Sequence, residues 1–310
     1  MKVVYHASAG PELEARLAAM PDLQIAICPE TDDIRLSMLL RDCDVLWHVL
    51  KPCTAAMIAE APKLRLIQKI GVGVNTIDME AAKARRIPVC NLPGTNSRAV
   101  AELTLGLMLA VLRRVPHFDA SIRSGVWIDP SMQDGLGELG GRKVGLIGYG
   151  SVAKLLAPVL VAMGCEVVYT ARRQAPGAVA KFVSLSQLLE QSDVVSLHVP
   201  LTAETERLID RAALGRMKKG SVLINTARGE VVDQAALTDA LSKRHLAGAG
   251  LDVFVDEPLP LTDPLLKLNN VVITPHVGWV STGTFERSFK IAAENCRRVE
   301  DGMVLLHRVA

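Results

Sequence analysis

Short runs rich in Val, Ile and Leu recur along the chain, each followed by a segment with helical periodicity. "MKVVYHA", "QIAIC", "DVLWHVL", "LRLIQKI" and "IPVCN" are divided by Leu/Ala-rich stretches such as "PELEARLAAM" and "TIDMEAAKARR". That alternation admits few folds: strands joined by helical crossovers lie parallel, with helices covering both faces of the sheet. It predicts a doubly wound α/β domain over residues 1–97. Next, "NSRAVAELTLGLMLAVLRRV" reads as a long helix starting near a cap at Asn96 or Ser97, apolar nearly all round and therefore in need of cover on several sides. After a polar, Gly-rich stretch the alternation resumes in "KVGLIG", "EVVYT", "DVVSLHV", "SVLINT", "AGAGLDV" and "VVITPH", predicting a second doubly wound domain over 98–280. The closing "GTFERSFKIAAENCRRVEDG" reads as a helix returning to the first domain, which would then be discontinuous, 1–97 plus 281–310.

Composition limits what such a chain does. With 49% hydrophobic and 22% charged residues, 310 residues can bury two cores and solvate their surface. Lys plus Arg number 35 against 33 Asp plus Glu, leaving +2, and no basic block is interleaved with aromatics, so nucleic acid is not an expected partner. The apolar stretch 99–112 contains Glu102 and falls short of a bilayer span, and the N-terminus holds no signal-peptide core. A cytoplasmic protein without membrane partners is expected. Cys28, Cys43, Cys53, Cys90, Cys165 and Cys296 are scattered, with no C-x-x-C and no His pair at metal spacing, so buried free thiols and no metal are expected.

"VGLIGYGSVA" (144–153) places G-x-G-x-x-A between a strand pattern, Lys143–Ile147, and a helical one carried by Val152, Leu155, Leu156, Val159, Leu160 and Met163. In that context the motif predicts a dinucleotide site. Gly148 would make the tight turn, Gly150 would admit a pyrophosphate to the backbone, and Ala153 is small enough for helix-on-strand packing. The helix N-terminus, at Ser151 and Val152, would offer its N–H groups to the phosphates. Pro158 falls inside that helix and removes one of its hydrogen bonds. An acid that binds an NAD ribose would close the next strand. That strand ends instead in "VVYTARRQ", with Arg172 and Arg173, whose guanidinium forks suit a 2′-phosphate, so NADPH is expected and NADH is the second choice.

Three later strand ends carry chemistry: Arg228 in "INTARGEVVD", Asp252 and Glu257 in "GLDVFVDEP", and His276 in "VVITPHVGW". Ligands of an open parallel sheet bind beyond the carboxyl ends of its strands, where these residues can converge despite their spacing. Reducing a carbonyl needs a cation to hold a carboxylate and polarise the carbonyl, and a proton donor for the developing alkoxide. A carboxylate beside an imidazole favours its charged, proton-donating form.

These motifs, "GYGSVA", "SLHVPLT", "INTARG", "GAGLDVF" with "DEP", and "TPHVG", resemble in order and spacing those of the D-isomer-specific 2-hydroxyacid dehydrogenases, over nearly the whole chain. The resemblance implies a Rossmann cofactor domain plus a smaller flavodoxin-like substrate domain. It implies that Arg228, Glu257 and His276 are the catalytic trio and that Asp252 orients the nicotinamide amide. It implies further that the "KIGVGVNTID" loop holds the substrate carboxylate through the N–H groups of Val72 and Gly73. Thr104, His198, Pro200, Thr205 and Ala227 would be cofactor contacts, and helix 99–112 the element of a homodimer. The arginine pair is similar to that of the NADPH-using glyoxylate/hydroxypyruvate reductases, implying a small 2-oxoacid substrate reduced to the D-2-hydroxyacid. Some of these carry a second tryptophan shortly after the one matched by Trp127; here Pro130 stands three residues on, and Met132 or Trp279 would shape the pocket instead. The alternatives are an NAD-dependent D-2-hydroxyacid or 3-phosphoglycerate dehydrogenase, a phosphite oxidase, which would carry a lysine where Val72 stands, and a dinucleotide-sensing co-repressor scaffold.

Overall fold

The computed structural model of the chain describes residues 1–127 and 135–310, so Pro130 and Met132 lie outside the described residues. It divides into two units, Met1–Asn96 with Val280–Ala310, and Ser97–Trp279.

In the first unit β1 (Lys2–His6), α1 (Pro11–Ala18), β2 (Gln24–Cys28), α2 (Asp33–Leu40), β3 (Val45–His48), α3 (Ala55–Ala59), β4 (Leu66–Lys69), α4 (Met79–Ala84) and β5 (Val89–Cys90) alternate. The strands pair in parallel in the order β2-β1-β3-β4-β5, the flavodoxin-like arrangement. Every residue of β3 and β4 is buried, the polar His48, Gln68 and Lys69 included, so neither strand shows the in-out alternation of a half-exposed sheet. Asp32, Thr54 and Asp78 start α2, α3 and α4 by accepting a backbone N–H from the first turn.

The second unit opens with α5 (Ser97–Arg113) and α6 (Val115–Arg123) and continues β6 (Lys143–Ile147), α7 (Ser151–Ala162), β7 (Glu166–Thr170), β8 (Lys181–Phe182), α8 (Leu185–Gln191), β9 (Val194–Leu197), α9 (Arg211–Arg216), β10 (Val222–Asn225), α10 (Gln234–Ser242), β11 (Gly248–Leu251) and β12 (Val271–Ile273). Its seven strands, all parallel, lie in the order β12-β11-β10-β9-β6-β7-β8. This is the doubly wound Rossmann order with a seventh strand added, and the order reverses between β6 and β9. Strand β8 is not foreseen by sequence pattern: two exposed edge residues are too few to show a period. Helix α5 buries Ala101, Thr104, Leu107, Met108 and Leu112 against the sheet. It lies so close that a Cβ on Gly250 of β11 would come within 2.9 Å of the Leu107 Cβ. Helix α7 runs straight through Pro158, because both that residue and Lys154, whose carbonyl loses its partner, are exposed and water can take the bond.

The chain ends in α11 (Thr282–Glu300), which belongs to the first unit. Its Phe289 stacks on Trp47 of β3, ring centroids 5.5 Å apart, and meets Tyr5 of β1 edge-on at 6.0 Å. Its buried Asn295 donates to the Gln68 Oε1 of β4 at 2.7 Å. All six cysteines are free and buried. No described helix is long and apolar enough to cross a membrane.

Candidate active site

At the point where the strand order reverses, the turn after β6 demands glycine. Gly148 has φ +95°, its N–H donates to the Thr170 carbonyl at 2.8 Å, and a Cβ on it would fall 2.5 Å from the His198 carbonyl oxygen beyond β9. Gly150 is the N-cap of α7 with no side-chain cap, and a Cβ there would meet nothing within 4 Å. The first N–H groups of α7, at Ser151 and Val152, have no partner inside the helix, which fits a dinucleotide pyrophosphate. Ala153, fully buried, lets α7 settle on the sheet. Ser151 Oγ is also tied to Ser97 Oγ at the start of α5, 2.8 Å away.

Beyond β7, Arg172 and Arg173 are exposed, and neither guanidinium has a hydrogen-bond or ion-pair partner among the described residues. No carboxylate closes that strand, which ends at Thr170. After β9, desolvation pushes the His198 ring down to about 4, so it is neutral near pH 7, with Nε2 3.0 Å from Ser196 Oγ. Pro200 is exposed, and its carbonyl accepts from Thr205 Oγ1 at 2.6 Å, which closes the loop that follows. Thr104 on α5 is buried and within 2.9 Å of Thr226 Oγ1.

The ends of β10, β11 and β12 build the chemistry. Arg228 caps a single 3₁₀ turn, Gly229–Val231, and its Nη1 donates to the Ala227 carbonyl at 2.6 Å. Burial draws its pKa below the usual arginine value against the opposing charges of Glu230 and Glu257. Gly229 is pressed onto the Phe254 backbone, where a Cβ would lie 2.0 Å from the carbonyl carbon, so the loops after β10 and β11 touch. Glu257 uses both oxygens: Oε1 accepts the Phe254 N–H at 2.9 Å and Oε2 meets His276 Nδ1 at 2.6 Å. Burial alone would raise the Glu257 pKa, but the His276 hydrogen bond and charge, the Phe254 N–H and the Arg228 charge together bring it below the ordinary value. His276 sits in the left-handed region, φ +52°, with its N–H donating to the Asp252 carbonyl at 2.8 Å. With Nδ1 engaged by a carboxylate, Nε2 is left to present a proton.

Asp252 is buried, and its carboxylate accepts from Thr274 Oγ1 at 2.6 Å and from the N–H groups of Val277 and Gly278 at 2.9 Å each. Burial raises its pKa, and these bonds together with the His276 charge oppose the rise. Asp252 therefore clamps the turn that carries His276. Sequence reasoning missed Thr274 and Asn225. Asn225 accepts the Ala227 N–H at 3.0 Å and donates to the Arg228 carbonyl at 2.8 Å, shaping the turn that presents the guanidinium. The signal was an Asn at a strand end, the usual side chain of such self-bonded turns.

In the first unit, the loop after β4 turns at Gly71, whose carbonyl accepts the Leu92 N–H at 2.8 Å, and Asn91 Nδ2 donates to the Val72 carbonyl at 2.8 Å. Val72 is 42% exposed, and the N–H groups of Val72 and Gly73 donate no hydrogen bond among the described residues.

Comparison with known proteins agrees with this arrangement. Residues 105–278 match the family described as "D-isomer specific 2-hydroxyacid dehydrogenase, NAD binding domain". The chain is 41% identical over 264 residues to a glyoxylate reductase from Korarchaeum cryptofilum, covering 83% of this chain and 79% of that one. It is 37% identical over 298 residues to a D-3-phosphoglycerate dehydrogenase from Mycobacterium tuberculosis, covering 94% of this chain but 54% of the relative. Among solved structures, the TT0316 protein from Thermus thermophilus superposes with a TM-score of 0.90 over the full length of both chains at 39% identity. The chain belongs to the D-isomer specific 2-hydroxyacid dehydrogenase family and is an NAD(P)-dependent oxidoreductase.

Proposed function

We propose that this protein reduces a small 2-oxoacid, glyoxylate or hydroxypyruvate, to the D-2-hydroxyacid at the expense of NADPH. The observation that carries the reading is the His276–Glu257 pair at 2.6 Å, with the Arg228 cation within reach of the same carboxylate. Ser97–Trp279 is the dinucleotide-binding domain in this reading, and Met1–Asn96 with Val280–Ala310 the substrate-binding domain. When bound, the nicotinamide supplies the hydride. In the second unit Arg228 polarises the substrate carbonyl; in the first, the N–H groups of Val72 and Gly73, which have no other bond to make among the described residues, are the proposed donors to the substrate carboxylate. His276 Nε2 gives the proton to the oxygen as negative charge develops there, while Glu257 fixes the ring from Nδ1. Asp252 spends three of about four lone-pair sites on its own turn, and the remaining one suits an amide N–H of the nicotinamide.

The unpaired guanidinia of Arg172 and Arg173 support NADPH over NADH as the cofactor. The first turn of α7 would hold the pyrophosphate, with Thr104, His198, Pro200, Thr205 and Ala227 as further contacts. A homodimer in the cytoplasm completes the reading. It is supported by an apolar surface at α6 and just beyond it, where Val115, Ile122 and Val126 are 54%, 52% and 42% exposed and Trp127 is 81% exposed. The test is a panel of 2-oxoacids assayed with both cofactors. Highest kcat/KM is expected for glyoxylate or hydroxypyruvate with NADPH, and a preference for 3-phosphohydroxypyruvate with NADH would overturn it.

A further inference from the structure

The second unit has a second built concavity, at the edge of the sheet opposite the active-site loops. A cavity of about 500 Å³ opens at the amino ends of β10 and β12, between the last turn of α5 and the first turn of α6. Arg114, Arg142, Arg244 and His117 line it, and among the described residues no Asp or Glu does. Two of the guanidinia donate their hydrogen bonds to neutral groups, Arg142 Nε to the Glu138 carbonyl at 2.5 Å and Arg244 Nη2 to Asn269 Oδ1 at 2.7 Å, and Arg142 also acts through its charge on the more distant Asp193. The Arg114 guanidinium has no hydrogen-bond or ion-pair partner among the described residues.

An independent feature points the same way. Arg114 is also the N-cap of α6, held at φ +50° with no side-chain cap, so the first-turn N–H groups of Val115 and His117, on either side of Pro116, are left without a side-chain cap. Elsewhere the protein pairs its charges freely: Asp42 takes Lys2 and Lys63, Asp239 takes Arg211 and Lys243, and Glu294 takes Arg297 and Arg298. Three cations in one concavity with no lining carboxylate among the described residues repel one another, and both they and the helix end suit the same thing, a negative group from outside.

We propose that this cavity binds a small multivalent oxyanion, a phosphate-bearing or polycarboxylate molecule. Its volume suits a small ligand. More than one guanidinium lines the cavity, which favours a ligand with several negative oxygens, and planar oxyanion groups match the guanidinium fork. Because it opens at the amino edge of the sheet, its occupant does not compete with residues at the carboxyl edge.

The experiment is thermal unfolding of the full chain in millimolar sodium phosphate and in trisodium citrate, each against sodium chloride of equal ionic strength. The wild type should gain about 2–4 °C in Tm beyond the chloride control. The Arg114→Gln/Arg244→Gln variant should lose most of that gain while keeping its full response to NADPH, which separates this cavity from the α7 turn. Arg244→Gln alone serves if the double variant folds poorly, since Arg244 is exposed and bonds only Asn269. No gain over chloride in the wild type, or an equal gain in wild type and variant, would overturn the proposal.

Discussion

Replacing Glu257 by Gln tests the proton donor at the cost of a single atom change. Glu257 satisfies two partners at once, the Phe254 N–H through Oε1 and His276 Nδ1 through Oε2. Glutamine has one oxygen and one NH₂, so it can satisfy these partners in only two ways. If the oxygen stays on Phe254, the NH₂ donates to Nδ1, the neutral ring carries its proton on Nε2, and giving that proton away would leave an imidazolate. If the amide flips, the oxygen again accepts from Nδ1–H but the NH₂ faces the Phe254 N–H. A partly buried donor left unpaired costs about 1–3 kcal/mol. The competent arrangement is then populated roughly 5- to 150-fold less than the incompetent one. Loss of the negative charge beside the ring adds to this, within the range of about 10²- to 10⁴-fold that positioned acid catalysis supplies. Glu257→Gln should therefore reduce glyoxylate at least about tenfold more slowly, followed by loss of NADPH absorbance, with KM for NADPH little changed. A second readout is stability. The folded Glu257 carboxyl lies below its ordinary pKa, so its contribution is present above the unfolded value of about 4.3 and lost as pH falls through the lower folded value. The stability gap between wild type and variant should close at acid pH. A kcat within about threefold of wild type would refute the assignment of His276 as the donor held by Glu257.

Arg172→Ala with Arg173→Ala should raise KM for NADPH by at least about tenfold, since hydrogen bonds to a charged group contribute roughly 1.5–3 kcal/mol each, and leave KM for NADH nearly unchanged. Equal loss with both cofactors would count against a 2′-phosphate site. Gly148→Ala places a methyl 2.5 Å from the His198 carbonyl at φ +95°, so a lower urea midpoint, by about 1–3 kcal/mol, and weaker NADPH binding are expected. An equally stable variant would mean the turn after β6 yields more easily than its geometry implies. Light scattering should give twice the chain mass of 33.4 kDa, and Trp127→Ser should shift the protein toward monomer. A monomeric wild type would remove the dimer.

The fold was legible where burial imposes a pattern. Strands β3, β4, β9 and β10 are buried throughout, so each opens on at least two consecutive Val, Leu or Ile residues that mark it in the sequence, even though His48, Gln68, Lys69, Ser196 and Asn225 interrupt or close the runs. The exposed two-residue β8 has no such constraint and left no trace. At the site, Arg228, Glu257 and His276 could be picked out because each lies just beyond an apolar run. The geometry that aims them was not legible. Nothing in "TPHVG" shows that His276 takes a left-handed backbone, and Thr274 and Asn225 are ordinary strand-end residues until the turns they bond are folded.

Net charge illustrates the same limit from the other side. A balance of +2 excludes a broadly basic surface, and in doing so hides how unevenly the charges lie. Arg114, Arg142 and Arg244 are far apart in sequence, and each is followed within a few residues by a different element: α6, β6 and β11. A parallel sheet brings the amino ends of its strands to one edge and the carboxyl ends to the other. Residues just before strands therefore gather on one side, and residues just after them on the opposite side. The same rule that assembles Arg228, Glu257 and His276 at the carboxyl edge brings Arg142 and Arg244 to the amino edge, where the turn between α5 and α6 adds Arg114. Glu257 lies close enough to compensate the cations at the carboxyl edge, and among the described residues no carboxylate lines the amino-edge cavity. Topology, rather than composition, decides which cations remain free to take an external anion.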